Sequence, residues 1–125
     1  MTDVIKVSPL GKTWIFDIDG TIVKHNGYKL DGRDSMLPDA KMFLDSIPPE
    51  DMVVLITSRT EAWKEATIDF LQANEIRYDH IIFDAPYGER ILVNDRKPSG
   101  LCVSIAVNTE RNEFMKERFE VDENL

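Results

Sequence analysis

Apolar residues in this chain fall into short continuous runs separated by amphipathic stretches, the alternation that predicts an α/β domain. Thr13–Ile18 (TWIFDI) predicts a buried strand that ends in acidic residues. Met52–Thr57 (MVVLIT) predicts a second strand, of the kind buried on both faces in parallel sheets. Between them, Ile22–Ser35 is polar and contains Asn26-Gly27, a hairpin-turn signal, so a small β-flap is expected over about residues 22–36. Pro38 suits a first helical position. Ala40, Phe43, Leu44 and Ile47 follow at helix-face spacing, and Pro48-Pro49 stops that helix. After the second strand, Thr60 is an N-cap candidate for a helix burying Trp63, Ala66, Phe70 and Leu71. Ile81–Phe83, Arg90–Asn94 and Cys102–Val107 predict three further strands. A last helix from about Thr109 would carry Phe114, Met115 and Phe119 on one side, within a C-terminal helix and tail over 109–125. Only Asp84–Glu89 joins the third and fourth strands, whereas a parallel crossover needs about a dozen residues or more. Ile81–Phe83 is therefore either a short edge piece or not parallel to its neighbours.

The length of 125 residues argues for one domain spanning 1–125. At 42% hydrophobic and 30% charged, the chain can bury a core. Its 15 basic and 23 acidic residues leave a net charge of 15 − 23 = −8, which counts against broad polyanion binding, nucleic acid included. One cysteine, Cys102, excludes an internal disulfide framework, and its apolar surroundings predict a core position. No apolar run approaches the ~20 residues of a membrane span, and Met1–Gly11 lacks the apolar stretch of a secretory signal, so a cytoplasmic protein without membrane contact is expected. Gly11-Lys12-Thr13 mimics the end of a phosphate-binding loop but precedes its strand, and His25 and His80 stand far apart; none of these reads as a site.

The chemistry concentrates at Phe16-Asp17-Ile18-Asp19-Gly20-Thr21. Two carboxylates at i, i+2 share one side of an extended chain. Their mutual repulsion calls for a cation or a raised pKa. Gly20 lets the backbone turn sharply and leaves its amide open to an anion. In open α/β sheets, ligands bind at the carboxyl ends of the strands.

These residues resemble motif I of the haloacid dehalogenase-like phosphatases. The resemblance implies a Rossmann-like three-layer domain with a mainly parallel central sheet of about five strands. It also implies Asp17 as the nucleophile that forms an aspartyl-phosphate and Asp19 as the general acid and base. Thr57-Ser58-Arg59 is similar to motif II, which assigns Thr57 to the phosphoryl oxygens, with Arg59 directed at substrate phosphate or sugar or else salt-bridged to a helix acid. Ile91-Leu92-Val93-Asn94-Asp95 resembles motif IV, with Asn94 where the family has an acid, and implies that Asp17, Asp19 and Asp95 hold Mg²⁺. The motif III lysine position falls at Ala85. Arg90, at the far end of a strand carrying Asp95, would lie ~16 Å away, so Lys97 is the expected compensating cation, and Gly20 adds a phosphate-facing amide.

Neither interval between motifs can hold a cap domain. The flap residues Lys24, His25, Tyr28 and Arg33 are then the expected selectors of the leaving group. A two-component receiver domain also uses an aspartyl-phosphate, but its phosphoacceptor belongs on a middle strand, which here ends in Thr57. The expected function is a Mg²⁺-dependent phosphomonoester hydrolase acting on a small phosphorylated metabolite such as a sugar phosphate, with a homo-oligomer compatible with the sequence. The alternative, motivated by Ala85 and Asn94, is a catalytically dormant domain that binds a phosphorylated ligand or partner protein.

Overall fold

The computed structural model describes residues 3–125. In chain order its elements are β1 (Val4–Val7), β2 (Thr13–Asp17), α1 (Gly27–Leu30), α2 (Ala40–Ser46), β3 (Met52–Ile56), a 3₁₀ turn (Glu61–Trp63) running into α3 (Lys64–Ala73), β4 (His80–Ile82) and β5 (Arg118–Val121). Among the described residues the result is a small α/β protein with two parallel sheets: one of three strands in the order β2-β3-β4 and one of two, β1-β5. The expectation of a single sheet of about five strands is corrected accordingly. No helix among the described residues is long and apolar enough to cross a membrane.

Alternation along β2 and β3 explains where the core lies. Trp14 pairs with Val53 and Phe16 with Leu55, so these four share one face. Phe16, Val53 and Leu55 are buried there with Leu44 of α2 and Leu71 of α3 in one apolar cluster. Both helices thus cover the same side of the sheet. The opposite face carries Ile15, Val54, Ile56 and Ile82 in register, and of these Ile15 and Ile82 are exposed.

Ala40, Leu44 and Ile47 are buried as their spacing predicts. In α3 the buried residues are Thr67 and Leu71, whereas Ala66 is exposed; the 3₁₀ start rotates the face away from the one a continuous helix would bury. β4 is a short edge strand parallel to β3, which resolves its orientation.

Other expectations are corrected. Asn26-Gly27 opens the helix α1, with Asn26 in the left-handed region, instead of closing a hairpin. The two ends of the segment are nevertheless joined by an antiparallel bridge between Val23 and Met36. Arg90–Asn94 and Cys102–Val107 form no strands. Residues 86–106 are almost wholly exposed, and Cys102 lies in solvent. Thr109 starts no helix. Phe114 is instead buried in the core cluster, and Phe119, on β5, meets Trp14 edge-on at 4.9 Å, so the C-terminal aromatics pack on this domain.

Candidate functional site

β2 and β3 run parallel and end together, with Asp17 opposite Ile56, so the residues that follow meet at one rim. Beyond β2 the chain reverses at Gly20, whose φ of +79° is the left-handed conformation glycine tolerates. Its amide donates to the Val23 carbonyl at 2.7 Å and so does not face outward toward an anion. The turn is clamped from outside: the Asn112 N–H donates to the Gly20 carbonyl, and the Asn112 Oδ1 accepts the His25 N–H.

The rim gathers Asp17, Asp19, Thr57, Arg59 and Arg90. Asp17 accepts from Arg90 Nη1 at 2.9 Å and from the Thr21 hydroxyl at 3.1 Å. Arg90, expected ~16 Å away because an extended strand rises about 3.3 Å per residue, is thus the cation on the first carboxylate. The assumption of a strand is what failed, since this stretch folds back over the rim. Lys97 is exposed and pairs with no carboxylate among the described residues; its backbone forms a turn with Gly100 and Leu101.

Asp19 is held by Arg59. Nε donates to Asp19 Oδ2 and Nη2 to Asp19 Oδ1, both at 2.9 Å. The other edge of the guanidinium donates to Asp34, Nη1 at 2.9 Å and Nη2 at 2.7 Å. Nη1 also donates to the Thr67 hydroxyl at 2.9 Å, and that hydroxyl donates to the Trp63 carbonyl. All five N–H donors of the arginine are therefore engaged. The Tyr28 ring covers one guanidinium face, 3.9 Å from Cζ, and packs edge-on against Trp63. Burial pulls the Arg59 pKa down, but the hydrogen bonds it donates to Asp19 and Asp34, with their negative charge, outweigh it and the net shift is upward. Arg59 thus salt-bridges two loop acids, Asp19 and Asp34, instead of a helix acid, and has no donor left for substrate.

Thr57 is buried. Its Oγ1 accepts the Arg59 N–H at 3.0 Å and its own N–H donates to the Ile82 carbonyl. In this arrangement it shapes the turn that carries Arg59. Lys24 pairs with Asp31 at 2.8 Å.

The three acids expected to share Mg²⁺ are not brought together. Among the described residues no group of three or more His, Cys, Asp or Glu is arranged to hold a metal ion. Asp95 is exposed and accepts a bond from its neighbour Asn94, while the oxygens of Asp19 face Arg59 and those of Asp17 face Arg90 and Thr21. As they stand, these residues do not fit a divalent ion.

Asp34 and Arg90 carried no local signal. Asp34 sits in a polar stretch 25 residues from Arg59, and Arg90 lies 73 residues from Asp17.

No family model matches the chain, and comparison with curated proteins found no match. Among solved structures the chain is similar to one described as the Pnkp1/Rnl/Hen1 complex, at 26% identity and a TM-score of 0.52 over 68% of this chain. It is similar also to one described as the Pnkp1/Rnl/Hen1 RNA repair complex, with the same identity and TM-score over 71% of this chain. The matches cover 32% and 30% of those chains, so this protein corresponds to about a third of their length.

Proposed function

We propose that this chain is a phosphomonoester hydrolase of the haloacid dehalogenase-like kind, with a small phosphorylated metabolite such as a sugar phosphate as substrate. Its three parallel strands are read as part of a Rossmann-like layer without a cap domain, working in the cytoplasm. The observation that carries the reading is the pair of carboxylates at the end of β2, each facing its own arginine: Asp17 with Arg90 and Asp19 with Arg59.

In this reading an Asp17 oxygen attacks phosphorus. The new O–P bond forms as the bond to the leaving oxygen breaks, and Asp19 delivers a proton to that oxygen. Asp19 then takes a proton from water as the water attacks the phosphorus, releasing phosphate and restoring Asp17. Arg90 neutralises charge on the nucleophile and on the phosphoryl oxygens, the part a motif III lysine would play. Thr57 supports the site by holding the turn before Arg59. No step is assigned to magnesium, because the oxygens it would use already face guanidinium and hydroxyl groups.

A second substrate reading, the phosphorylated end of an RNA, is favoured by the likeness to chains of an RNA repair complex. The net charge of −8 weighs against it.

The test compares the protein with Asp17→Asn on p-nitrophenyl phosphate, a sugar-phosphate panel and a 3′-phosphorylated oligoribonucleotide, each with Mg²⁺ and with chelator. Phosphate release should fall by at least ~10³ in Asp17→Asn. Release that survives the substitution refutes the mechanism. Equal inactivity of both proteins on every substrate replaces it with the dormant binding domain. The chelator arm decides the part of the metal.

A further inference from the structure

The ion cluster around Arg59 assigns a role to a residue outside the expected catalytic set. We propose that Asp34 is a positioning residue that sets the Asp19 carboxylate through Arg59, coupling residues 26–36 to the proton-transfer group. The inference rests on the phosphatase reading for its kinetic meaning, though not for its geometry.

Exposure runs in one direction along the cluster: the Arg59 side chain is 1% exposed, Asp34 5% and Asp19 16%. Asp34 is the inward anchor and Asp19 the outward end. A guanidinium is planar and rigid, so gripping one edge through two bonds fixes where the opposite edge points. The Tyr28 ring closes one face, and the Thr67 hydroxyl, itself tied to α3, takes the remaining donor. With all five donors engaged, Arg59 moves only by breaking bonds to Asp19 or to its anchors. Tyr28 and Asp34 both come from the segment between Val23 and Met36. Any displacement of that segment by an arriving substrate therefore reaches Asp19 directly.

The charge balance points the same way. One buried cation faces two carboxylates. Removing one carboxylate leaves the arginine paired; removing both leaves a buried charge without a counter-charge, which is strongly destabilising.

Asp34→Asn should lower kcat on p-nitrophenyl phosphate by about tenfold with KM within about twofold, and Asp34→Glu should recover most of the loss. Tyr28→Leu, which frees the guanidinium face, should lower kcat by about threefold and serves if Asp34→Asn does not fold. A purely structural role predicts lower stability with unchanged kcat, and that result overturns the proposal. A urea-unfolding cycle of Asp19→Asn and Asp34→Asn tests the geometry without activity. The double variant should lose at least about tenfold more in the unfolding constant than the two single losses combined. Additivity within about twofold also overturns the proposal. A wild-type protein inactive on every substrate refutes the phosphatase reading alone, and the cycle then decides whether Asp34 sets Asp19.

Discussion

Replacing Arg90 by glutamine separates its electrostatic part in a reaction from its part in stability. The Arg90–Asp17 pair is 2.9 Å long, and both side chains are more than a third exposed, at 37% and 36%. At that separation the Coulomb term is about 1.4 kcal/mol in bulk water and about 6 kcal/mol at an effective dielectric of 20. Side-chain ordering and screening reduce the net contribution of such an exposed pair to ~1 kcal/mol or less. Stability should therefore fall by no more than about 1 kcal/mol. The reaction differs, because charge moves from Asp17 onto the phosphoryl oxygens and a cation fixed beside both is favoured most in the transition state. Loss of one such group costs about 10²–10³ in rate, or about 2.7–4 kcal/mol.

The assay is steady-state hydrolysis of p-nitrophenyl phosphate beside urea unfolding, with Lys97→Ala as control. Arg90→Gln should lose about 10² in kcat with its unfolding midpoint nearly unmoved, while Lys97→Ala keeps the wild-type rate. A kcat for Arg90→Gln within about threefold of wild type would refute the reasoning, as would a tenfold loss in Lys97→Ala.

Two further outcomes follow from features away from the rim. Asp79 is held below its ordinary carboxylate pKa, chiefly by the hydrogen bond donated by the Val53 N–H and further by Arg77. A lowered folded-state pKa adds stability above the unfolded value, lost as pH falls through the folded one. Asp79→Asn should thus be less stable than wild type at pH 7 by urea unfolding, with the gap closing below the ordinary value of 3.8; a constant gap contradicts this. Separately, limited proteolysis should cut first between Pro86 and Glu110, where among the described residues the backbone forms internal hydrogen bonds only around Lys97–Leu101. First cleavage in α2 or α3 would contradict the exposure of that stretch.

Much of the sheet was legible because β2 and β3 are apolar runs bounded by turn residues, and α2 shows its face at helical spacing. Arg90–Asn94 has the same composition as those strands, yet a strand needs a partner, and no local pattern says whether one is present. The spacing of Phe114, Met115 and Phe119 suits a helix face, but the observed packing follows Trp14 and Phe43, aromatics from the other end of the chain. Within the site, Asp17 and Asp19 stood out because two acids at a strand end break an apolar pattern. Arg59 was visible as a candidate through motif II, but which acids the two arginines pair with was not, because an ion pair between residues 40 or 73 positions apart leaves no periodic trace.

The small β1-β5 sheet bears on how the chain folds. Its strands pair Val4 with Arg118 and Val7 with Val121, and Lys6 pairs with Glu120 across 114 positions of chain. Closing so long a loop costs about 4 kcal/mol of chain entropy before any strand pairing offsets it. The β2-β3 pairing, with Thr13 opposite Met52, closes a shorter loop at a cost about 1 kcal/mol lower, so β2, β3 and β4 should assemble before the distant strands dock. Trp14, which lies in the first unit and meets Phe119 in the second, gives that final docking its own fluorescence signal.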